Sequence, residues 1–495
     1  MRMPAPDTEA IARKDELVAG LETILPRANV ISEETRLKVF ECDALTAYRA
    51  LPLAVALPST REQVAEIMRL CDRLGVKIVP RGAGTGLSGG ALPLADGLVL
   101  GLSRLNRIVE IDYDNRTVTV EPGVTNLAIS RAVEAEGFYY APDPSSQIAC
   151  TIGGNIAENS GGVHCLKYGL TTNNVLGLEL VLMNGEVVRL GGKHLDPEAY
   201  DLMGVVTGSE GLLGIVTEVT VRILKKPQTV RAALIAFASI EDAAHCVSSI
   251  ISAGIIPAGL EMMDAGAIGA AEDFCAPGYP RDAAAILIAE LDGEDTDVIA
   301  TLARLEVLAR RCRAQSIRLS ESEAERLAFW AGRKNAFPAV GRLSPDYLCM
   351  DGTIPRGAVA KVLVRMKELS ARHGLRIVNV FHAGDGNLHP LILYDANTPG
   401  QTEQAEALGA DILRLCVEVG GVLTGEHGVG VEKRDLMGTM FTEDDLKQQQ
   451  RVKCAFDPGH LLNPGKVFPT LHACIELGKV HVHRGALPFA NLPRF

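Results

Sequence analysis

The sequence contains eleven cysteines but no pair of them is spaced C-x-x-C. This absence excludes a zinc finger or an iron–sulfur cluster held by locally spaced cysteines, and it indicates reduced thiols in a cytoplasmic protein. No apolar run approaches the length of a membrane span, and the first residues lack the apolar core of a signal peptide. The net charge of −12 disfavours nucleic acid and anionic membranes as partners.

The sequence also lacks a predicted helix after its glycine loop. This loop is Pro80–Ala91 and reads P-R-G-A-G-T-G-L-S-G-G-A. The loop contains G-x-G-x-x-G, but this dinucleotide fingerprint needs a following helix to hold the pyrophosphate. Pro93 and Gly97 break any helix there, so we exclude a Rossmann domain. Glycines that expose backbone N–H groups, with Arg81 beside them, still predict a diphosphate-binding loop in a strand-rich domain. The alternative is a flexible surface linker.

The length of 495 residues suffices for about two to four domains. We predict an N-terminal helical arm at 1–48, a strand-rich domain at 49–228, a second domain at 229–469 and a tail at 470–495. Lys225–Gln228, which is charged and interrupted by proline, marks the main boundary. Strands and helices alternate after it, which is typical of an α+β, ferredoxin-like layer.

Local signals predict several element ends. Ser59 and Glu62 form a capping box that begins a helix, and Gly75 ends this helix. Asn184-Gly185 predicts a hairpin turn between two strands. A second glycine-rich block, between residues 142 and 169, is too long and too polar to be a simple turn.

The segment Phe381–Pro390 carries two histidines around Asp385-Gly386, a favoured two-residue turn. Counting outward from that turn places His382 opposite His389, with Cβ atoms about 4.5–5.5 Å apart. Glu426, between two glycines, is the candidate for a third metal ligand. Two histidines and one carboxylate would leave a coordination position open for substrate or water. The alternative is that the histidines only form hydrogen bonds within a tight hairpin.

Together these stretches resemble a known family. The glycine loop, T-I-G-G-N, T-G-S-E-G-L-L-G-I-V-T-E and N-P-G-K resemble the FAD-binding half of the vanillyl-alcohol-oxidase-type flavoproteins. W-A-G-R-K-N, C-M-D-G-T-I-P, F-H-A-G-D-G-N-L-H-P and G-E-H-G resemble their D-2-hydroxyacid dehydrogenase branch, which includes the FAD-binding subunits of bacterial glycolate oxidases. The resemblance covers residues 15–495 and implies a two-part PCMH-type FAD-binding domain followed by an α+β substrate domain.

The resemblance also implies a set of site residues. His382, His389 and Glu426 would bind a divalent metal, which is zinc in related dehydrogenases. His427 would be the catalytic base, and Arg333 would hold the substrate carboxylate. The residues implied for FAD binding are Arg81, Gly82, Ala83, Gly84, Thr85, Gly86, Ser88, Gly89, Gly90, Pro142, Asp143, Pro144, Ser145, Ser146, Thr151, Gly153, Gly154, Asn155, Ala157, Asn159, Gly162, Glu210, Gly211, Gly214, Ile215, Val216 and Asn463.

Two departures from the 2-hydroxyglutarate branch concern substrate size. That branch has a lysine near the position of Cys349 and a polar residue matched here by Phe337. Their loss disfavours a dicarboxylic substrate and favours a short one. A covalent link between histidine and FAD is not expected, and His164 is interpreted as structural.

The implied reaction is the metal-assisted oxidation of a small 2-hydroxy acid, glycolate or D-lactate, with hydride transfer to flavin N5. The absence of a cluster motif implies that electrons leave through an iron–sulfur subunit, a second FAD-binding subunit or a quinone. Such a complex would bring the chain to the inner membrane face. The alternatives are a stand-alone D-lactate or D-2-hydroxyglutarate dehydrogenase, a metallohydrolase that uses the His/His/Glu site, and a non-enzymatic metal- or nucleotide-binding subunit.

Overall fold

The computed structural model describes residue 3, residues 5–194 and residues 200–469. The predicted tail at 470–495 lies outside the described residues. The strands of the first half are β1 (Val30–Ile31), β2 (Ala54–Ala56), β3 (Lys77–Arg81), β4 (Gly97–Gly101), β5 (Ile108–Asp112), β6 (Thr117–Val120), β7 (Phe138–Tyr139), β8 (Val175–Val181), β9 (Val187–Gly191), β10 (Ile215–Arg222) and β11 (Leu224–Lys225). The α-helices of this half are α1 (Thr8–Ala12), α2 (Lys14–Ile24), α3 (Glu34–Leu37), α4 (Arg61–Leu74), α5 (Asn126–Val133), α6 (Ile152–Glu158), α7 (Cys165–Tyr168) and α8 (Leu202–Val206).

The first half contains two main sheets. One has the order β1-β2-β4-β3 and the other the order β5-β6-β10-β8-β9, while β7 and β11 form a small pair. The glycine loop connects β3 to β4, two parallel neighbours, without a helix between them. The exclusion of a Rossmann domain is therefore confirmed for this loop.

The helix cap at α4 differs from the prediction by one residue. Thr60, not Ser59, is the N-cap, and its hydroxyl accepts a hydrogen bond from the backbone N–H of Gln63 at 3.3 Å. The Gln63 side chain in turn accepts from the backbone N–H of Ser59 at 2.8 Å, while Glu62 pairs with Arg61 at 2.6 Å. The predicted pair, Ser59 and Glu62, and the observed pair, Thr60 and Gln63, have the same spacing, so spacing alone does not distinguish them. The predicted stop at Gly75 is confirmed, since its φ is 64°.

The second half is built on one larger sheet. Its strands are β12 (Thr229–Phe237), β13 (Gly259–Asp264), β14 (Ala285–Gly293), β15 (Ser316–Leu319), β16 (Asp346–Cys349), β17 (Ile377–His382) and β18 (Pro390–Tyr394). Its α-helices are α9 (Ile240–Ser252), α10 (Ala265–Cys275), α11 (Asp295–Arg311), α12 (Glu323–Lys334), α13 (Ala336–Val340), α14 (Val359–His373), α15 (Gln401–Glu418), α16 (Met437–Met440) and α17 (Glu443–Phe456).

This sheet has the order β15-β12-β14-β13-β17-β18-β16, and its neighbouring strands are antiparallel. Its first four strands form the ferredoxin-like unit, and β17, β18 and β16 extend it. Alternate residues of β12 face two cores, because side chains alternate across a strand. Ile235 belongs to the core that also contains residues of α9, α11, α14 and α15, whereas Leu234 belongs to the core that contains residues of α10, α12 and α13. The α+β class is confirmed, while the exact domain limits stay a prediction.

The chain returns to the first half at its described end. The backbone N–H of Asn463 donates to the carbonyl of Ile78 at 2.7 Å, beside the strand that leads into the glycine loop. Lys466 donates to the carbonyls of Gly90 and Leu92 at 2.8 and 2.7 Å. The last described segment therefore braces the glycine loop. Among the described residues, no helix combines the length and apolarity needed to cross a membrane.

Candidate active site

One cavity of about 380 Å³ runs from the glycine loop to His389, Glu426 and His427. We call its first part the cofactor half, formed by 81–90, 151–158 and 210–216. The metal half is the cluster of His382, His389, Glu426 and His427, of which the last three line the cavity and His382 lies beside them. The two halves come from the two predicted domains, so the cavity lies where these meet.

The glycine loop approaches its neighbours too closely for side chains. A Cβ on Gly82 would lie 2.3 Å from the hydroxyl of Thr151. That hydroxyl and the side-chain nitrogen of Asn155 are buried and have no hydrogen-bond partner among the described residues. Both residues line the cavity. Glycine backbone and unpaired donors beside one cavity fit a large polar ligand with phosphate groups.

Most residues implied for FAD binding line this cavity: Arg81, Gly82, Ala83, Gly84, Thr85, Gly86, Gly90, Pro144, Ser145, Ser146, Thr151, Gly153, Gly154, Asn155, Ala157, Glu210, Gly211, Gly214, Ile215 and Val216. The others are not part of its wall: Ser88, Gly89, Pro142, Asp143, Asn159, Gly162 and Asn463. Some of these residues contact the wall residues without facing the cavity. The Asn463 side chain, for example, donates to the carbonyls of Gly90 and Glu210 at 3.0 and 2.7 Å.

The hairpin between β17 and β18 has a different register from the predicted one. Asn379 pairs with Pro390, and His382 pairs with Asn387, not with His389. The loop has four residues, 383–386, and the backbone N–H of Gly386 donates to the carbonyl of His382 at 3.1 Å. A shift of two residues keeps each side chain on its face. The His382 and His389 rings therefore still lie close, with centroids 5.1 Å apart.

The distances among the three predicted ligands suit a metal ion. Glu426 Oε1 lies 3.5 Å from His382 Nε2 and 3.4 Å from His389 Nε2. Bonds of about 2.0–2.2 Å to a tetrahedral ion place ligand atoms about 3.4 Å apart. Both Nε2 atoms are buried without a hydrogen-bond partner in the described residues. The residues present therefore fit a divalent cation, and a simple hydrogen-bonded hairpin does not account for them.

A buried carboxylate fixes the orientation of His382. Glu261 Oε1 lies 2.7 Å from His382 Nδ1, so this nitrogen carries the proton and Nε2 is left free for a cation. Burial opposes protonation of His382, but Glu261 and Glu426 raise its pKa well above the usual value. The same two carboxylates would favour a cation at Nε2 in place of a proton.

Arg333 lies behind this histidine. Its Nε donates to Glu261 at 2.6 Å, and the residue is outside the cavity wall. Its Nη2 is buried and unpaired among the described residues. Its predicted role at the substrate carboxylate stays a prediction.

Sequence reasoning gave no role to Asp351, which organises the loop carrying Glu426 and His427. Its Oδ2 accepts from the backbone N–H groups of Gly425 and His427 at 3.0 and 2.9 Å and from the Thr424 hydroxyl at 2.5 Å. Asp351, His389 and His427 form a second group with metal-ligating atoms. Glu426 is the better ligand because its Oε1 lies near both His382 and His389, whereas Asp351 Oδ1 lies 3.6 Å from His389 Nε2 and already accepts the backbone N–H of Glu426 at 3.2 Å. The C-M-D-G-T-I-P motif contains Asp351 but does not indicate which loop it holds.

His427 differs from its neighbour Glu426 in charge and contacts. Its ring stacks on His389 at 5.0 Å between centroids and makes no hydrogen bond within the described chain. Burial lowers the pKa of His427 to about 4, although Asp351 opposes this. Burial works against ionisation of Glu426, but His382 and the other histidines lower its pKa to about 2. At neutral pH the pair is a carboxylate and a neutral imidazole, which suits a ligand and a proton acceptor.

The two residues that depart from the 2-hydroxyglutarate pattern lie in different places. Phe337 lines the cavity, and its ring contacts Tyr347 at 6.2 Å between centroids. Cys349 is buried outside the wall. Phe337 thus contributes an aromatic side chain to the cavity wall, and its effect on substrate size stays a prediction.

Comparison with known proteins gives the family. Residues 52–191 match the FAD binding domain family, and residues 226–467 match the C-terminal domain of FAD linked oxidases. The chain is 54% identical over 482 residues to glycolate oxidase subunit GlcD of Escherichia coli K12, covering 97% of each chain. It is 41% identical to GlcD of Bacillus subtilis, over 87% of this chain and 92% of the relative. It is also 32% identical to a D-lactate dehydrogenase of Archaeoglobus fulgidus, over 86% and 94%.

Solved structures agree in fold. p-Cresol methylhydroxylase superposes with a TM-score of 0.79 at 19% identity, covering 93% of this chain and 98% of that chain. A 4-ethylphenol oxidase of Gulosibacter chungangensis superposes with a TM-score of 0.75 at 19% identity, covering 94% and 99%. At such identities the likeness concerns the fold alone.

Proposed function

Because the chain belongs to the FAD-linked oxidases of the glycolate oxidase subunit GlcD family, we propose that it oxidises a small 2-hydroxy acid to the 2-keto acid. The observation that carries this proposal is the single cavity joining the glycine loop to the histidine cluster. One site built in this way can place a substrate carbon beside a bound cofactor. A metallohydrolase does not need the cofactor half, so this alternative is disfavoured.

The cofactor half would hold FAD without a covalent bond. Residues 81–90 suit the diphosphate, 142–162 the isoalloxazine side and 210–216 the adenosine half. FAD supplies the acceptor for the two electrons of the reaction. Acid precipitation should release a yellow chromophore into the supernatant, and colour retained in the pellet would refute the non-covalent assignment.

The metal half would hold the substrate. His382, His389 and Glu426 are proposed to bind a divalent cation, with zinc as the first choice, and such a cation supplies Lewis acidity toward the substrate hydroxyl. The neutral ring of His427 takes the hydroxyl proton. Arg333, with an unpaired Nη2, is proposed for the substrate carboxylate, and Phe337 restricts the substrate to a short chain.

The test is anaerobic mixing of the holoenzyme with glycolate, D-lactate, L-lactate and D-2-hydroxyglutarate. We expect glycolate to bleach the flavin fastest and D-lactate next, since Phe337 lines the cavity where the related dicarboxylate enzymes would have a polar residue. Faster bleaching by D-2-hydroxyglutarate would overturn the small-substrate assignment. A flavoprotein that none of the four bleaches would overturn the proposed reaction.

The electron acceptor is proposed to be a partner. The relatives from Escherichia coli and Bacillus subtilis are named subunits. We propose an iron–sulfur subunit and a second FAD-binding subunit, with the chain in the cytoplasm and held at the inner membrane face only through them. If the purified chain alone turns over glycolate with a quinone as fast as a cell extract does, this partner proposal is wrong.

A further inference from the structure

A carboxyl group in the wall of the cofactor half has no partner. Glu158, at the C-terminal end of α6, lines the cavity, and its Oε2 is buried without a hydrogen bond to any described residue. The sequence motifs gave this residue no role. A buried polar atom that faces a cavity and lacks a partner is satisfied by a ligand or costs stability.

A second carboxylate lies across Gly428 from it. A Cβ built on Gly428 would lie 2.1 Å from Oε2 of Glu158 and 2.9 Å from Oε1 of Glu210. Glu210 accepts hydrogen bonds from the backbone N–H groups of Val429 and Gly430 at 2.6 and 2.7 Å. Burial raises the pKa of Glu210, and these two donors oppose that rise because they favour its ionised form. Two carboxylates so placed in a buried site do not both ionise readily, so the proton resides on Glu158.

The nearby lysines make no hydrogen bond to the carboxyl group of Glu158. Lys466 directs its protons to the carbonyls of Gly90 and Leu92 and to Asn463 Oδ1. Lys433 donates to the carbonyl of Gly428 at 2.8 Å and lies 3.4 Å from Asp351. Burial raises the pKa of Glu158 well above its usual value, Glu210 and Asp43 raise it further, and Lys433 and Lys466 only oppose them.

We propose that Glu158 is a protonated acid at neutral pH and donates a hydrogen bond to the FAD bound in the cavity. This inference rests on the proposed function, since it needs FAD in the cofactor half. A carboxyl kept neutral can donate where a carboxylate can only accept. Ionisation of Glu158 would remove the donor and add a negative charge beside a ligand that carries two phosphates. FAD binding should therefore weaken as pH rises through the pKa of Glu158.

The first measurement is FAD titration of the apoprotein by flavin fluorescence, from about pH 6 to about pH 9. Wild type should lose about tenfold or more in affinity across this range. Glu158→Gln, which is neutral and still a donor, should bind FAD with little dependence on pH. Glu158→Ala should bind weakly at every pH. A wild-type pH profile in Glu158→Gln, or equal binding by the Gln and Ala variants at low pH, would overturn the proposal.

Glu432→Gln is the matched control. Glu432 belongs to the same buried group of charges, with Lys433 Nζ 3.4 Å from its Oε2, but it is not in the cavity wall. Burial raises its pKa to about 7, with Lys433 opposing. This variant should keep the wild-type pH profile of FAD binding. If it abolishes the profile as well, the effect belongs to the whole charge cluster and not to Glu158.

Thermal melting of the apoprotein tests whether Glu158 is protonated in the folded chain when FAD is absent. A raised pKa means that the folded state holds the proton more tightly than the unfolded state, whose glutamates titrate near pH about 4.3. Wild-type stability contributed by Glu158 is thus complete at low pH and is lost as pH rises toward the folded pKa. The melting temperature of Glu158→Gln should exceed that of wild type by a margin that grows with pH. A constant margin would refute the protonated state, whereas failure of every variant to bind FAD would refute the proposed function instead.

Discussion

The two halves of the cavity differ in the groups that form them. The cofactor half contains many glycines from three separate stretches of the chain and is braced by Asn463 and Lys466. The metal half consists of four side chains from a hairpin and a separate loop. Glu261 orients His382, and Asp351 holds the backbone of the loop that carries Glu426 and His427. A site lined by glycines needs those positions to stay free of side chains. A site made of side chains needs other residues, here Glu261 and Asp351, to hold them in position. The two halves should therefore respond differently to substitution.

The largest expected effect is on the metal half. Glu426→Gln removes the charged ligand that lies 3.5 and 3.4 Å from the two histidine nitrogens. Bound metal and flavin reduction should be lost together, to the detection limit of metal analysis and of stopped-flow absorbance. FAD content should stay at the wild-type level, because the cofactor half is untouched. Retention of metal with full activity would show that Glu426 is no ligand.

His427→Gln should separate proton transfer from binding. The variant should keep its metal and its FAD but reduce flavin about 10²–10⁴-fold more slowly, as expected for loss of a general base. Substrate affinity, measured in the same anaerobic titration, should change much less. If this variant loses its metal while Glu426→Gln retains it, the two roles are reversed.

Glu261→Gln should show how far the metal half depends on its support. The substitution weakens the hydrogen bond that holds the His382 tautomer, and metal affinity should fall about 10–100-fold. Competition with a chelator measures this change. Glu290→Gln is the control, because Glu290 is also buried but contacts His164 and Trp330. Equal losses in both variants would mean that general destabilisation is the cause.

Gly82→Ala should affect only the cofactor half, with the smallest effect of the four. Its methyl group would lie 2.3 Å from the Thr151 hydroxyl, while the next atoms are at 3.6 and 3.8 Å. A single clash at the lower end of the usual overpacking cost, about 1.4 kcal/mol, corresponds to a loss of about tenfold in FAD affinity. Thr151→Ala alone measures what that hydroxyl contributes to FAD binding. Because the clash is absent from the double variant, it should bind FAD better than the two single losses added together predict. If the double variant shows no such recovery, contact with Thr151 is not what requires glycine at position 82. If Gly82→Ala changes the metal content, the two halves do not respond independently.

The same contrast explains what the sequence could predict. The glycine loop was recognisable because its residues are contiguous, and the missing helix after it was visible in Pro93 and Gly97. The residue types of the metal half were also recognisable, yet the hairpin register was wrong by two residues, because Asp385-Gly386 lies within a four-residue loop. Glu261 and Asp351 were missed because neither is near the residues it supports in sequence. Such contacts arise only when β13 pairs with β17 and when the chain after β16 meets the loop after α15.

The brace at Lys466 has a consequence for biosynthesis. Lys466 and Gly90 are 376 positions apart, and the hydrogen bonds from Lys466 to the carbonyls of Gly90 and Leu92 hold the far end of the glycine loop. A chain still on the ribosome has no such brace until residue 466 has emerged, although domains generally begin to fold from the N-terminus during synthesis. The glycine loop is therefore translated long before the lysine that braces it, and the cofactor half reaches its final form only after that lysine has been added.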